Sequence, residues 1–235
     1  YSVTGVQTCA LPILAGAGNM FLTRYLADGE VDWFAEIDDV PLRETKYWDT
    51  PFNLMLDESD NIFLSGNLER EELLYPVVTK FSADGQQQWV GSFTDLPSPV
   101  VMALAVDGDQ RLVVAGYTKV DYHPRDLFVS VLSSAGQRQW STQWPSNGEL
   151  RYITYAVTVD QADNIYVAGL LCNAGSASFL VKFDADGNLL WDNNYCPEND
   201  DMVVTYNFQT VVDAQSNIYA VGFSEVDLTD YDDDD

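Results

Sequence analysis

The chain has 235 residues, of which 46% are apolar and 13% aromatic, a composition that excludes disorder over most of its length. Its 37 acidic and 11 basic residues give a formal net charge of −26. Nucleic acid and anionic membrane surfaces are therefore not expected as partners, because a polyanion would be repelled. No apolar run approaches the roughly 18 residues of a membrane helix, so no membrane insertion is expected.

The first thirteen residues stand apart from the rest of the chain. Residues 2–13, SVTGVQTCALPI, resemble the translation of a sequencing-adapter oligonucleotide. Segments of this kind do not belong in reasoning about a fold, so residues 1–13 are interpreted as an artefact. Native sequence is expected to resume at Leu14, where LAG matches the end of an internal repeat.

From residue 14 onward, two short motifs alternate. One is a Gly followed four residues later by a Trp, at Gly29/Trp33, Gly85/Trp89, Gly136/Trp140 and Gly187/Trp191. The other is an Asp followed nine residues later by a Gly, at Asp57/Gly66, Asp107/Gly116, Asp160/Gly169 and Asp213/Gly222. Each motif recurs every 50 to 56 residues, and a period of that size is typical of stacked repeats.

The Asp–Gly motif predicts a hairpin of two strands, A and B, at 52–67, 101–117, 154–170 and 207–223. Both arms are almost continuously apolar, which is typical of strands covered on both faces. The Asp begins the turn, where its carboxylate can accept local backbone N–H groups. We expect almost complete burial of the residues that flank the turn, namely Val106, Val159, Val212, Ile62, Leu112, Ile165 and Ile218.

The Gly–Trp motif predicts a second hairpin of strands C and D, at 20–34, 76–93, 126–143 and 178–195. Its Gly supplies the positive φ angle that the turn requires. Arg24, Lys80 and Lys182 interrupt strand C, which indicates a wetter face. We expect the Trp to pack between neighbouring repeats, and a place in a ligand site is the alternative.

Two hairpins per repeat predict an all-β protein built from four-stranded antiparallel sheets. Stacked radially, about four such repeats over residues 14–226 would form part of a β-propeller, expected to be a fragment of a larger one. Residues 227–235 are interpreted as an acidic, truncated end. The first C–D hairpin and the last A–B hairpin either pair to close a four-bladed ring or lie apart in an open arc, which truncation at both ends favours.

The two motifs carry a family resemblance. The pattern K-[FY]-D-x-x-G-x-x-x-W followed by V-D-x-x-x-N-[IV]-Y-V-x-G resembles the bacterial seven-bladed β-propeller repeat known as SBBP, most closely from Tyr155 to Tyr195. The pyrroloquinoline-quinone repeat is the runner-up, but it has a Thr where this chain has Asp28, Asp84, Ala135 and Asp186. The SBBP resemblance implies a secreted or surface-associated bacterial or archaeal propeller, usually without a known activity.

Candidate binding residues lie in the B–C and D–A loops, which fall on one face of the predicted sheets, here called the long-loop side. Variable loops on a repeated scaffold commonly carry binding. The aromatic candidates are Trp48, Tyr75, Tyr122, Trp144, Tyr152 and Tyr206. Mixed with carboxylates and amides, they suit a carbohydrate or a protein as partner, and ordinary loop packing is the alternative.

Catalytic chemistry finds little support in the sequence. The one histidine, His123, has no accompanying Gly-x-Ser-x-Gly elbow, and no cysteine or histidine cluster has zinc spacing. There is also no phosphate loop or dinucleotide fingerprint. No catalytic residue, cofactor or metal is therefore predicted. The acidic loop cluster Glu198, Asp200 and Asp201 is the one that could be considered for a hard cation, which needs six or more oxygens.

Two native cysteines remain outside the adapter-like segment. Cys172 follows strand B and Cys196 follows strand D of the same repeat, so both fall on the long-loop side. Strands B and D flank strand C and lie about 9–10 Å apart, whereas a disulfide needs Cα atoms within about 7 Å. A bridge requires the loops to lean together, and both a disulfide and two free thiols stay open.

The leading functional hypothesis is a non-enzymatic extracellular propeller that serves as a binding or structural module. The alternative is a fragment of a propeller enzyme, quinone-dependent dehydrogenase-like or lactonase-like, whose catalytic residues lie in missing blades.

Overall fold

A computed structural model describes residues 21–36, 50–70, 73–93, 95–121, 123–144, 151–172, 176–195 and 203–226. These residues form β-strands joined by turns, with no helix among them. The described part of the chain accordingly offers no helix of the length and hydropathy needed to cross a membrane. The all-β prediction is confirmed.

Twelve of the described strands form three four-stranded antiparallel sheets, here called units 1 to 3. Unit 1 contains β3 (Thr50–Leu56), β4 (Ile62–Arg70), β5 (Leu73–Phe81) and β6 (Gln87–Ser92). Unit 2 contains β7 (Pro99–Val106), β8 (Leu112–Val120), β9 (His123–Leu132) and β10 (Arg138–Trp144). Unit 3 contains β11 (Arg151–Val159), β12 (Ile165–Cys172), β13 (Ser176–Phe183) and β14 (Leu189–Tyr195).

Two further hairpins flank the units. The N-terminal hairpin is β1 (Phe21–Tyr25) with β2 (Val31–Glu36), and the C-terminal hairpin is β15 (Val203–Val212) with β16 (Ile218–Val226). Each forms a separate two-stranded sheet, so the two do not pair into one composite sheet. The ring-closing alternative is therefore not what the structure shows, and each hairpin remains half of a unit.

Within every unit the strands follow chain order, each antiparallel to the next. They correspond to the predicted strands A, B, C and D, and all eight predicted hairpins are confirmed. In unit 3, for example, Val159 pairs with Ile165 across the A–B hairpin, and Gly169 pairs with Phe179 across B–C.

The A–B turn forms because its Asp carboxylate accepts hydrogen bonds from backbone N–H groups of the turn. Asp160 Oδ1 accepts the backbone N–H groups of Ala162 at 2.9 Å and Asn164 at 3.0 Å. Asp57, Asp107 and Asp213 accept the equivalent pair of N–H groups in their own turns. The expected role of this Asp is confirmed.

The Gly that follows nine residues later is required by a β-bulge in strand A. The bulge in β11 lies between Thr154 and Ala156 and brings the Ile153 carbonyl over Gly169. A Cβ atom on Gly169 would lie 2.1 Å from that oxygen, and one on Gly116 would lie 2.0 Å from the Val100 carbonyl oxygen. No side chain fits at either contact, which explains the conserved spacing of the motif within the chain.

The Gly–Trp motif joins consecutive repeats. The indole Nε1–H of Trp33 donates to the Ala83 carbonyl at 3.3 Å, that of Trp89 to Ser134 at 3.1 Å, and that of Trp140 to Ala185 at 3.0 Å. Each acceptor lies two residues before the Gly of the next repeat. A Cβ on that Gly would lie 2.6–2.8 Å from the indole ring. The Trp of one repeat therefore packs on the Gly of the next, as the structural interpretation predicted.

The core consists of layers shared by consecutive sheets. One layer joins units 2 and 3 and includes Val113, Val129, Val167 and Phe179. A second joins units 1 and 2, and a third joins the N-terminal hairpin to unit 1. Each sheet thus depends on its neighbours for the burial of its apolar faces.

Some burial predictions are wrong. Ile62, Leu112 and Ile165 are buried, but Val106, Val159 and Val212 are only half-buried. Val106 and Val159 border an open cavity of about 370 Å³ where A–B turns converge, which leaves one side uncovered. Ile218 is also half-buried, because the C-terminal hairpin lacks strands C and D.

The lysines of strand C are less exposed to solvent than expected. Lys80 is buried, with its Nζ 3.4 Å from Asp57 Oδ2 and 4.9 Å from the centre of the Phe63 ring. Lys182 repeats this arrangement over Tyr166, with its Nζ 3.9 Å from Asp160 Oδ2. In units 1 and 3, a Lys of strand C thus pairs with the turn Asp of the same unit, whereas in unit 2 Arg111 of the A–B turn pairs with Asp107.

Candidate functional site

The predicted aromatic candidates lie nearer to strands than expected. Trp144 is the last residue of β10, Tyr152 is the second of β11, and Tyr75 and Tyr206 lie within β5 and β15. The strands run further toward the long-loop side because the B–C hairpins stay paired to their ends, as Arg70 does with Leu73. Trp48 and Tyr122 lie outside the described residues.

Trp144 and Tyr152 form one contact at the boundary of units 2 and 3. The Trp144 Nε1–H donates to the Tyr152 hydroxyl oxygen at 3.2 Å. The Tyr152 ring packs edge-on against Phe179 with 5.2 Å between ring centres, and the residue is buried. Burial raises the pKa of the Tyr152 phenol, which keeps it neutral. Tyr152 therefore positions the half-buried Trp144 and does not itself present a surface to a ligand.

Arg151, which precedes Tyr152 in β11, contacts His123. His123 and Arg151 are the first residues of β9 and β11, and Arg151 Nη1 lies 3.4 Å from His123 Nδ1. A guanidinium can only donate, so His123 Nδ1 accepts and a neutral ring carries its proton on Nε2. His123 is exposed and Arg151 half-exposed. The sequence analysis missed Arg151, because its contact with His123 joins residues 28 positions apart and leaves no signal in the sequence.

Basic and acidic residues lie together at this point of the chain, where burial raises the pKa of Tyr152 and the charges of Asp192 and Asp126 add to that shift. Elsewhere in the described residues, ion pairs with aspartates are formed by Arg24, Lys80, Arg111, Arg138 and Lys182. The long-loop ends of β8, β9 and β11 carry Lys119, His123, Arg125 and Arg151, with Asp121 and Asp126 close by in sequence. We call His123, Trp144, Arg151 and Tyr152 the β9–β11 cluster. Within it, Trp144 contributes an aromatic ring and Arg151 contributes hydrogen-bond donors.

The other candidate residues are not brought together by the described structure. Cys172 ends β12, where its backbone pairs with Ser176, while Cys196 lies outside the described residues. Glu198, Asp200 and Asp201 also lie outside them. Over the described ranges, no group of three or more His, Cys, Asp or Glu side chains is arranged to hold a metal ion.

The side opposite the long loops carries carboxylates that already accept hydrogen bonds within their own turns. Asp57, Asp107 and Asp160 border the cavity between the A–B turns. Burial raises the pKa of Asp160, but hydrogen bonds from Asn164, Tyr166 and the turn backbone outweigh it and hold that pKa below its usual range. These carboxylates organise turns and leave little capacity for a ligand.

Comparisons with known proteins identify the fold but no family. No protein-family model and no curated protein matches the sequence. An ulvan lyase of polysaccharide lyase family PL25 superposes with a TM-score of 0.54 at 12% identity, over 74% of this chain and 49% of that one. The same values hold for that lyase bound to -[GlcA(1-4)Rha3S]-. A protein of unknown function from Dyadobacter fermentans gives 0.45 at 12% identity, over 74% and 61%.

The comparison corrects one prediction. The chain spans about half the length of the ulvan lyase and shares its fold. The prediction that the chain is not an enzyme is contradicted by this finding, because a solved structure that shares the fold is that of a polysaccharide lyase. The absence of nucleophile, zinc and nucleotide motifs in the sequence excluded only those particular chemistries, whereas function depends on the site that a fold carries.

Proposed function

We propose that this chain is part of a carbohydrate-active protein and that the β9–β11 cluster binds an acidic polysaccharide. The observation that carries the proposal is the junction of units 2 and 3, where Trp144 contacts Tyr152 and Arg151, the preceding residue of β11, contacts His123. The fold shared with a polysaccharide lyase supports it. Trp144 offers a face on which a sugar ring can stack, and Arg151 a planar fork of donors suited to a carboxylate.

The proposed architecture is an arc of a β-propeller with the three units as blades. The strict alternation of the motifs, the A-B-C-D strand order and the docking of each Trp on the next unit support it. The SBBP resemblance fits this arrangement and an extracellular location. Under this proposal the B–C and D–A connections of successive blades share one face, and the cluster lies on it.

The net charge of −26 opposes a polyanion at long range, whereas the Arg151 guanidinium can attract a carboxylate at close range. At physiological ionic strength the Debye length is about 8 Å, so distant charges are largely screened while a direct Arg–carboxylate contact is not. We therefore expect the local Arg–carboxylate contact to determine whether the polysaccharide binds. We expect uronic-acid polysaccharides to bind at physiological salt and binding to weaken as salt is removed.

Binding of purified soluble polysaccharides, with and without uronic acid, tests the proposal. Arg151→Gln should weaken uronate binding at least tenfold, and Trp144→Ala should weaken all carbohydrate binding. Arg24→Gln is the matched control, since it removes the same charge from the N-terminal hairpin. Ultraviolet detection of an unsaturated uronate in the same mixtures reports any elimination reaction. Failure of every polysaccharide to bind, or equal losses in Arg151→Gln and Arg24→Gln, would contradict the proposal.

A further inference from the structure

The one histidine of the chain lies in the β9–β11 cluster. His123 begins β9, and its backbone pairs with Val120 at the long-loop end of β8. The residue is exposed, so solvent protons and a ligand can both reach its ring. Its Nδ1 lies 3.4 Å from Nη1 of Arg151, the first residue of the neighbouring unit. A titratable ring thus contacts the guanidinium on which uronate binding depends in the proposed function.

The contact between the two side chains requires a neutral imidazole. A guanidinium donates hydrogen bonds and never accepts them, so His123 Nδ1 must present its lone pair. Protonation places an N–H on both ring nitrogens, which removes the acceptor and sets two positive charges against each other. Histidine is the side chain that ordinarily changes its charge between about pH 5 and 8. Arg151 therefore faces a neutral acceptor at the upper end of this range and a second cation at the lower end.

The other charges near His123 are of both signs. The charged and titratable groups on the neighbouring described elements are Lys119 of β8, Asp121 of the following turn, Arg125 and Asp126 of β9, Arg151 and Tyr152 of β11, and Asp192 of β14. Burial keeps the Tyr152 phenol neutral, and carboxylates, lysine and arginine ordinarily keep their charges between about pH 5.5 and 7.5. Among these described groups, His123 is therefore the one whose charge changes in that interval.

We propose that His123 makes uronate binding depend on pH, an inference that rests on the proposed function of the β9–β11 cluster. Neutral His123 positions Arg151 by accepting a hydrogen bond from its Nη1. Protonated His123 releases that donor and becomes a second charged donor beside it. A uronate carboxylate can then accept from both side chains, and its negative charge relieves the repulsion between them. Proton uptake by His123 and uronate binding therefore favour each other.

The size of this coupling is limited by solvent. His123 is exposed and Arg151 half-exposed, so water screens the charge that protonation adds. We therefore expect the Kd for a uronate polymer to fall about threefold to tenfold between pH 7.5 and pH 5.5, near the lower end of ordinary coupling between two sites. The coupling is reciprocal, so bound uronate should increase the proton affinity of His123 by the same factor.

Binding of polygalacturonate to the full chain at pH 7.5 and 5.5, at one fixed ionic strength, tests the pH dependence. Wild type should bind more tightly at pH 5.5. His123→Gln keeps a neutral acceptor at this position and should lose the pH dependence, so that it binds more weakly than wild type at pH 5.5. His123→Lys carries a permanent charge, so it should also lose the pH dependence but bind more tightly than His123→Gln at pH 7.5. Circular dichroism at both pH values checks that the variants fold.

Nuclear magnetic resonance of the single histidine gives a second readout, which needs no carbohydrate. In the untagged chain the ring protons of His123 give one set of signals, because there is no other histidine. Arg151→Gln should move the pH midpoint of these signals upward, since it removes the cation that opposes protonation. Arg24→Gln removes the same charge from the N-terminal hairpin and should leave the midpoint unchanged. Polygalacturonate added to wild type should move the midpoint upward.

The outcomes distinguish this inference from the proposed function. Equal affinity of wild type for polygalacturonate at both pH values would overturn the role of His123 and leave the proposed function standing. Absence of binding at both pH values would overturn both. A midpoint that is the same in wild type and Arg151→Gln would show that the two side chains do not interact in solution, which also overturns the role of His123.

Discussion

At the scale of single residues, one glycine position performs two tasks. Gly85, Gly136 and Gly187 adopt φ angles of +79° to +85° in their turns, and each also lies against the Trp of the preceding repeat. Gly29 shares the first task but lacks the second. A comparison of the four turns therefore separates the need for a positive φ from the need for space beside the indole ring.

We predict that Gly85→Asn destabilises the protein by about 1–3 kcal/mol more than Gly29→Asn, which is the usual cost of overpacking. Asn tolerates a positive φ at both positions, but a Cβ on Gly85 would lie 2.8 Å from the Trp33 ring. Denaturant unfolding, at a protein concentration at which the chain is monomeric, measures the difference. Equal losses in the two variants would show that the turn alone requires Gly.

The turn aspartates should make stability depend on pH. Asp160 has a lowered pKa in the folded protein, so its contribution is complete above the usual Asp pKa of about 3.9 and is lost as the pH falls through the folded pKa. Asn164 donates to both carboxylate oxygens, at 3.1 and 2.8 Å. Without the Asn164 side chain, the pKa of Asp160 in the folded protein rises toward its unfolded value. The stabilisation that the ionised Asp160 provides then becomes smaller.

Asn164→Ala should therefore shift acid unfolding, followed by circular dichroism, to higher pH. Asn188→Ala is the matched control, because Asn188 donates to Asp184 at 2.9 Å in a similar turn that is exposed to solvent. Solvent screens that interaction, so its shift should be smaller. A larger shift for Asn188→Ala would contradict the importance of the buried turn.

At the scale of elements, the B strand is the best-covered part of a unit, since it lies between strands A and C and under a neighbouring sheet. Ile165 opens β12 and is buried in the layer between units 2 and 3. Ile218 holds the same place in the C-terminal hairpin but is only half-buried. Burial at this position thus comes from the complete unit.

We predict that Ile165→Ala lowers the free energy of unfolding by about 2–5 kcal/mol, the usual range for emptying a core site. Ile218→Ala should cost less, because water already reaches the side chain. Chemical denaturation of the two variants at a concentration that keeps them monomeric provides the comparison. A loss under about half a kilocalorie for Ile165→Ala would place it among ordinary surface substitutions and contradict the assignment.

At the scale of the whole molecule, stability should vary along the array. Units 1 to 3 each have a neighbour on both sides, and units 2 and 3 share the largest apolar layer, whereas the end hairpins have one neighbour each and remain half-units. Amide protection follows the local free energy of opening, which is lowest where apolar contacts are fewest.

Hydrogen exchange should therefore be slowest in β8, β9, β12 and β13 and fastest in β1, β2, β15 and β16. Mass spectrometry of peptides from the dilute, monomeric chain measures it. Uniform protection along the chain would mean that the array unfolds as one cooperative unit.

The sequence was sufficient for the strands because their boundaries are set by local chemistry. An Asp that accepts two nearby N–H groups and a Gly with positive φ each define a turn without help from distant residues. The apolar runs between those turns then had to be strands. This is why all eight hairpins could be predicted while Arg151, whose role depends on a contact with His123, could not.

Only the tertiary structure shows how those strands pack against each other. Contacts between residues tens of positions apart determine the burial of Lys80, the half-exposure of Val106 and the packing of each Trp. Trp33 and Ala83, for example, lie 50 positions apart. The same holds for the Gly in the Asp–Gly motif, whose requirement comes from a bulged carbonyl on another strand. A sequence pattern shows that such residues recur, whereas only the packed chain shows which of them meet, because those contacts are made by folding and not by neighbours in the chain.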